Sequence, residues 1–355
     1  MVNPKERVLR VLNHEEADRV PIDFWAVDEV WKRLMAHFRL ATHEALLRQL
    51  HIDCRWPETC FADLSAVKTY PDESVEDMWK VRKKGLFGGI PIEHPLAHAT
   101  SIDDIEKYSW PEPNQFDYDT FIRECEGFKD YAVYGGSWSP FFFVACELMG
   151  MDKLLMNMFD KPNVIHALLD KICDFYLEVS RQMFERARNK MDIFFMGEDF
   201  GTQNALIMSR ELWKTFITPR LKRIFDQAKH YGYKVMLHTC GSVREIIPDL
   251  IDLGLDALDP IQVRAAGMNI EELKREYGHI LSFRGSIDTQ QTLPYGSIDD
   301  VKAEVRERMV KIAPDGGFII CTSQVLLPEV PLENIIAMYE AAYDYGSYDL
   351  SLIHI

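Results

Sequence analysis

Short apolar runs recur along the 355 residues, and longer amphipathic stretches separate them. Runs of this length, bounded by turn residues, are typical of buried strands, whereas the stretches between them are typical of helices. The runs that predict strands are 20–25, 51–56, 131–135, 192–196, 234–238, 257–261, 280–284 and 317–321. Strands that alternate with helices predict a parallel sheet. Eight such strands predict an α/β fold of the closed kind, a single (β/α)8 TIM barrel.

An open, doubly wound sheet is the alternative fold for the same alternation. A dinucleotide-binding version would carry a Gly-x-Gly-x-x-Gly turn after the first strand, and this chain has none there. We see no flexible linker, and we therefore predict one domain over 1–355. Residues 57–118 are rich in Trp, Pro and Gly and fit neither pattern. They predict a long irregular insertion after the second strand, which would act as a lid.

Three predicted helices have recognisable ends. Ser209 precedes a helix over 210–230, and Ser297 precedes one over 298–312, each as a capping residue. Ser242, with Glu245 three residues later, predicts a capping box at the start of a helix over 243–253.

The charge balance excludes several classes of partner. The chain has 40 Lys and Arg against 56 Asp and Glu, a formal net charge of −16. An acidic protein of this kind repels nucleic acid and anionic membrane surfaces. The longest strongly apolar stretch, 140–151, contains Glu147 and is shorter than the roughly 20 residues that span a bilayer. The beginning of the chain has no apolar core of a secretory signal, so we expect a cytoplasmic enzyme.

Seven cysteines spread along the chain do not form a disulfide pattern. Those predicted to be ordinary buried thiols are Cys54, Cys60, Cys125, Cys146 and Cys173.

His238 and Cys240 close the fifth predicted strand and differ from the other candidates. Residues two apart on a strand project to the same side, so an imidazole and a thiol converge there. Cys321 ends the last predicted strand, and the strand ends of a closed barrel meet at one rim. Two thiolates, one imidazole and an open position suit a catalytic zinc ion.

Other polar residues follow the predicted strands at the same rim, where α/β barrels carry their active sites. Gly197 and Gly201 flank Glu198 and Asp199, and this turn is expected to place an acid in the site. The candidate set is Asp23, Trp25, Ser139, Glu198, Asp199, Gln262, Arg284 and Asp288.

Five motifs carry a family resemblance in their order along the chain. They are NHEEADRVP at 13–21, GEDFGTQ at 197–203, LHTCGS at 237–242, DPIQ at 259–262 and FRGSIDTQ at 283–290. Together they resemble the uroporphyrinogen decarboxylase superfamily. The resemblance implies a (β/α)8 barrel and one of two chemistries. One is decarboxylation of a tetrapyrrole without a cofactor; the other is zinc-dependent methyl transfer between a corrinoid and a thiol such as coenzyme M.

The decarboxylase branch grips its substrate with an Arg-Gln-Ala-Gly-Arg motif near the N-terminus. The corresponding residues 21–29 contain no arginine, and Asp23, Asp28 and Glu29 would repel a polycarboxylate. The resemblance therefore favours the methyltransferase branch, whose His-x-Cys motif His238 and Cys240 match.

The third cysteine of that branch usually lies in a turn a few residues beyond Cys321, where this chain has Ser323 and Gln324. Two ways to complete the metal site remain open: Cys321 itself, or an oxygen ligand. The oxygen candidates are Glu198, Asp259 and Gln262.

The resemblance implies Zn²⁺ as the metal cofactor, with methylcobalamin or a corrinoid protein exchanging a methyl group with a thiol or folate acceptor. Glu198 and Asp199 would handle a proton or orient a ligand, and Arg284 would hold an anionic tail of the acceptor. The residues expected to contact the corrinoid are Asp23, Trp25, Ser139, Gln262 and Asp288. A lyase of the same fold and a non-catalytic corrinoid-binding relative remain alternatives, and a homodimer is compatible with the sequence.

Overall fold

The computed structural model describes residues 2–57, 68–85 and 89–348, and its strands form two sheets. In chain order the strands are β1 (Cys54–Arg55), β2 (Lys68–Thr69), β3 (Val75–Glu76), β4 (Arg82–Lys84), β5 (Ile90–Pro91), β6 (Ala132–Trp138), β7 (Ile193–Gly197), β8 (Lys234–His238), β9 (Ala257–Ile261), β10 (Ser282–Ile287) and β11 (Phe318–Thr322). The α-helices are α1 (Pro4–Val11), α2 (Asp28–Phe38), α3 (His43–Gln49), α4 (Ile102–Glu106), α5 (Tyr118–Gly127), α6 (Phe141–Met149), α7 (Met151–Asp160), α8 (Pro162–Ala187), α9 (Arg210–Phe216), α10 (Thr218–His230), α11 (Ile247–Asp252), α12 (Ile270–Tyr277), α13 (Thr292–Tyr295), α14 (Ile298–Lys311) and α15 (Leu332–Asp344).

The larger sheet has seven parallel strands in the order β1-β6-β7-β8-β9-β10-β11. Each strand of this sheet pairs with the sheet strand that comes next along the chain. From β6 onwards, helices connect the paired strands. The predicted α/β class and parallel sheet are confirmed. The predicted first strand is not a regular strand, because residues 20–26 make only isolated parallel bridges, Ile22 with Ile320 and Ala26 with Leu326. The sheet curls so that this segment joins its two edges: Asp53 N donates to Ile22 O at 2.8 Å.

Asp53 ties three parts of the chain together beside β1. Its buried carboxylate accepts hydrogen bonds from Arg7 Nη1 at 2.6 Å, Arg19 Nη1 at 2.8 Å and the backbone N–H of Ile22 at 2.8 Å. Breaking a buried ion pair costs about 3–5 kcal/mol, because the remaining charge loses its partner. This cluster fixes α1 and the 20–26 segment against the edge of the parallel sheet.

Side chains of the parallel strands alternate between two apolar clusters. Phe195 of β7 and Met236 of β8 lie in the inner cluster, which α1 closes with Val8 and Val11. Leu237 lies in the outer cluster that packs against the helices. Since strand residues two apart share a face, His238 has the same orientation as Met236 and faces the inside of the curled sheet.

The segment predicted to be an irregular insertion has regular structure in part. Strands β2 to β5 form a four-stranded antiparallel sheet, so the prediction is wrong over residues 68–91. These strands are two or three residues long and none of their residues is buried, so no alternation of apolar and polar residues marks them in the sequence. Residues 58–67 and 86–88, and Cys60 with them, lie outside the described residues.

Helix ends were predicted with mixed success. Ser209 caps α9 and Ser297 caps α14, as predicted. The Ser297 cap is in addition a capping box with Asp300. The capping box of Ser242 and Glu245 is wrong, because a 3-10 turn starts there and Ser242 Oγ donates to Ala266 O instead. The helix predicted over 210–230 is divided at Ile217, since Pro219 has no N–H to continue it.

The remaining cysteine predictions are confirmed: Cys54, Cys125, Cys146 and Cys173 are buried free thiols. Among the described residues we find no helix with the length and apolar character needed to cross a membrane.

Candidate metal centre

His238 ends β8 and is held from behind by a chain of buried charges. Its Nδ1 donates to Asp259 Oδ2 at 2.7 Å, and Asp259 is its register partner on β9. The other oxygen of Asp259 accepts from Arg284 Nη1, and Arg284 Nε donates to Asp23 Oδ2 at 2.7 Å. All four side chains are buried. Because Nδ1 is committed to Asp259, Nε2 is the ring atom left to face the end of the strand.

Cys240 and Asp199 meet that free ring nitrogen. Cys240 Sγ lies 3.3 Å from His238 Nε2, and Asp199 Oδ1 lies 3.9 Å from it. Asp199 also accepts the backbone N–H of Cys240 at 2.8 Å, which fixes the loop after β8 against the loop after β7. Within the part of the chain that the structure describes, these are the residues able to hold a metal, with ligand atoms within 4.8 Å of one another.

The donor set of these three residues fits zinc. Zinc accepts nitrogen, sulfur and oxygen at about 2.0–2.3 Å, and tetrahedral donors at such distances lie roughly 3.5 Å apart. The 3.3 Å between Cys240 Sγ and His238 Nε2 agrees with that spacing. Asp259 supplies the carboxylate behind the histidine that metal-binding imidazoles usually have. Three protein ligands leave one position for a substrate atom.

Cys321 lies outside this group of three possible metal ligands. It lies within β11, with the thiol fully buried and paired in register with Ser286, whereas Cys240 lies beyond the end of its strand. Burial raises the pKa of Cys321 to about 12, although nearby Arg284 opposes the shift. Three residues later in the chain, Gln324 Nε2 donates to Cys240 Sγ at 3.0 Å. In the sequence, Gln324 is notable because it lies where the methyltransferase branch usually has its third cysteine.

The charges around His238 favour its protonated form in the metal-free protein. Burial lowers the pKa of His238, but Cys240 and Asp259 outweigh burial and raise it to about 10. Burial raises the pKa of the Cys240 thiol, and His238 opposes that shift. A metal ion must therefore displace protons from both side chains.

Glu198 and Asp199 have different surroundings although they are adjacent. Glu198 is buried, and its carboxylate accepts the N–H groups of Phe142 at 2.5 Å and Phe143 at 3.2 Å in the first turn of α6. Burial raises the pKa of Glu198 well above its usual range, and the two N–H groups oppose this. Glu198 thus stabilises a helix N-terminus. The Gly197 to Gly201 turn instead presents Asp199, about half exposed, to His238.

The predicted contact residues are distributed around this centre. Gln262 Oε1 accepts the N–H of Gly241 at 2.9 Å, next to Cys240. Asp288 binds Arg264 and accepts the N–H of Gln290 at 2.8 Å. Ser139 is buried.

Asp23 and Arg284 are buried beneath the centre, in the chain of charges behind His238. No local sequence pattern predicts this pairing, since 261 residues separate the two partners.

Two cavities adjoin the centre. One cavity of about 350 Å³ is lined by residues that include Gln262, Asp288 and Gln324. An aromatic cavity of about 770 Å³ includes Trp25 and Trp138 in its wall. The rings of these two tryptophans lie 5.1 Å and 5.3 Å from the His238 ring, centroid to centroid.

Comparison with known proteins gives three findings. The sequence profile of the family described as "Uroporphyrinogen decarboxylase (URO-D)" matches residues 91–345. "Methylcobamide:CoM methyltransferase MtaA" of Methanosarcina barkeri is 26% identical over 228 residues, which are 63% of this chain and 61% of that protein. The chain therefore spans about three fifths of the length of that relative. "Uroporphyrinogen decarboxylase" of Bacillus cytotoxicus is 22% identical over 278 residues, 76% of this chain and 74% of that protein.

A solved structure has the same fold. It is titled "methyltransferase from Methanosarcina mazei", and it superposes with a TM-score of 0.66 at 20% identity over 97% of this chain and 99% of that chain. This similarity confirms the barrel-like α/β architecture.

The carboxylate behind the histidine gives a first prediction. In Asp259→Asn, His238 loses the anion that orients its ring, so we expect zinc affinity to fall by about 10- to 100-fold. Competition with a chromogenic chelator measures this change. Asp249→Asn is the matched control, since Asp249 pairs with Arg210 and Lys214 outside the centre. Equal zinc affinities in the two variants would contradict the role of Asp259.

The protonation of His238 gives a second prediction. Because its pKa is raised to about 10, the ring holds a proton at neutral pH that zinc must displace. Because Cys240 also loses a proton, the apparent zinc affinity should increase by about 100-fold for each pH unit from about 7 to about 9. Chelator titrations across this range measure the slope. An increase of only about tenfold per pH unit would show that one proton is displaced and that His238 is already neutral.

Proposed function

The chain belongs to the uroporphyrinogen decarboxylase (URO-D) family, and within it we propose that this protein is a zinc-dependent methyltransferase. It would move a methyl group between a corrinoid and a thiol. The observation that carries the proposal is the convergence of Asp199, His238 and Cys240, with Asp259 bound behind the histidine. The name of the Methanosarcina barkeri relative, which contains both a methylcobamide and coenzyme M, supports the same chemistry.

Asp199, His238 and Cys240 would hold the zinc ion. Zinc, when bound, lowers the pKa of a thiol ligand and so supplies a thiolate near neutral pH. Asp259 keeps the His238 ring in place, and the Asp259 pKa is itself lowered because Arg284 outweighs the effect of burial. Gln324 donates its amide N–H to Cys240 Sγ, which stabilises negative charge on that sulfur.

The corrinoid would approach the end of the curled sheet where the loops after the strands meet. Trp25, Gln262 and Asp288 border the two cavities beside the centre and are the residues we assign to that contact. Asp23 is buried and would act only through Arg284. We also propose that residues 20–26 take the place of the eighth strand of a (β/α)8 barrel. The described parts of the 57–118 segment would form a lid over it.

Decarboxylation of a porphyrinogen fits the described residues poorly. A substrate with many carboxylates needs guanidinium groups that are free to bind it. Arg284 is fully buried between Asp23 and Asp259, and Arg55 is buried against Glu44. Neither arginine is free to hold an anionic substrate, so the tail-binding role predicted for Arg284 is not part of this proposal.

Methyl transfer from methylcobalamin to a thiol tests the proposal. Zinc-loaded protein is mixed with methylcobalamin and with either coenzyme M or 2-mercaptoethanol, and the methyl thioether is measured by mass spectrometry. We expect turnover that falls by about 100-fold or more in Cys240→Ser and His238→Ala, because a catalytic ligand is lost.

Cys321→Ser is the matched control for Cys240→Ser, since it removes a thiol outside the group of three ligands. It should keep activity within a few-fold of the original protein. Undiminished activity after complete removal of zinc would refute the proposal. Release of carbon dioxide from uroporphyrinogen, without transfer of a methyl group, would also refute it.

A further inference from the structure

We propose that the aromatic cavity beside the metal centre binds a small methylated onium cation, either a quaternary ammonium or a sulfonium ion. The inference goes beyond the proposed function: it concerns a methylated cation rather than the thiol, and it assigns no step of methyl transfer to that cation. Binding itself needs neither zinc nor a corrinoid.

Aromatic rings form much of the cavity wall. The rings that line it are Trp25, Trp31, Trp56, Trp138, Phe24, Phe128 and Phe195. The four tryptophans are each partly exposed, whereas most large side chains of the core are fully buried. Trp is the side chain whose ring face attracts cations most strongly, and methylated ammonium groups are typical ligands of such aromatic cages.

The charged residues of the wall select for a cation. Among the described residues that line the cavity, the carboxylates are Asp23, Asp28, Glu44 and Glu124, whereas Arg55 is the single cationic side chain. Arg55 donates from Nε to Glu44 Oε2 at 2.7 Å, and its guanidinium lies 3.6 Å from the centre of the Tyr131 ring. With Arg55 committed in this way, the wall is net negative and disfavours a sulfonate or carboxylate ligand.

Asp28 is the exposed carboxylate of this set and starts α2 at the edge of the cavity. Two of the other acids are paired with arginines, Asp23 with Arg284 and Glu44 with Arg55. Asp28 can therefore attract a cation at the entrance, while the aromatic rings remove its methyl groups from water.

The cavity is also correctly placed and sized for a methylated substrate. Trp25 and Trp138 are common to the cavity wall and to the surroundings of His238, and their ring centroids lie 6.1 Å apart. A volume of about 770 Å³ lies within the range of roughly 300–1,000 Å³ that small-molecule sites have. A methyl group that rests against either ring from the cavity side would thus be one ring away from His238.

Calorimetric titration with choline and with its neutral isostere 3,3-dimethylbutan-1-ol tests the inference. The two probes have nearly the same shape and differ by the positive charge, so the comparison isolates recognition of the cation. We expect choline to bind about tenfold more tightly or better, since a desolvated cation over Trp is strongly favoured. Trimethylsulfonium, compared with tetramethylammonium, shows which of the two onium classes is preferred.

Single variants locate the binding site. Trp138→Leu and Trp25→Leu should each weaken choline binding by about tenfold. Trp110→Leu is the matched control, because Trp110 packs against Trp79 and Tyr108 and does not line the cavity. Circular dichroism confirms that each variant is folded, and two separate tryptophans keep the test decisive if one variant is not.

Equal affinities for choline and its neutral isostere would overturn the inference, as would preferential binding of coenzyme M. Unchanged choline binding in both folded tryptophan variants would overturn it as well. The titration contains no corrinoid and no thiol acceptor, so it does not measure methyl transfer. If the cavity does not bind an onium cation, the separate assay with methylcobalamin still decides whether the protein transfers methyl groups.

Discussion

The buried guanidinium of Arg284 is the interaction on which the centre depends. It lies between Asp23, on the segment that joins the sheet edges, and Asp259, in the middle of β9. One positive charge thereby holds two carboxylates inside the curled sheet, where neither would be stable alone. Breaking such a pair by removing one partner typically costs about 3–5 kcal/mol. The same contacts fix the side of the sheet on which the chemistry takes place.

The position of Asp259 then determines which ring nitrogen of His238 faces the loops at the end of the strand. A carboxylate held by Arg284 on one oxygen has the other available for His238 Nδ1. That bond directs Nε2 towards Cys240 and Asp199, in loops that follow two neighbouring parallel strands. In the proposed zinc site, the buried chain of charges would matter as much as the ligands themselves.

The sequence predicts the main strands of this protein better than the contacts between side chains inside the curled sheet. Strands β8 and β9 were predicted with their observed bounds, because each is a continuous apolar run ended by polar residues. His238 and Cys240 were identified by their spacing on one strand face. The four short strands between residues 68 and 91 were missed, since segments of two or three residues are too short to show a pattern.

The rest of the centre depends on contacts between distant parts of the chain. Asp199 and Gln324 reach Cys240 from loops 41 and 84 residues away, and no local pattern distinguishes them from neighbours such as Glu198. Cys321 was predicted as a ligand because the strand ends of a barrel share one rim. Its place inside β11 puts it beside Arg284, one layer below that rim, so the burial that makes it inert could not be read from spacing.

The central claim is that one sulfur, one imidazole and a carboxylate hold the metal. X-ray absorption at the zinc edge of the zinc-loaded protein measures this ligand set directly. The account predicts one sulfur at about 2.3 Å, with nitrogen and oxygen at about 2.0–2.2 Å completing the shell. It also predicts an unchanged spectrum in Cys321→Ser. Two sulfur ligands in the original protein, one of them lost in Cys321→Ser, would contradict it.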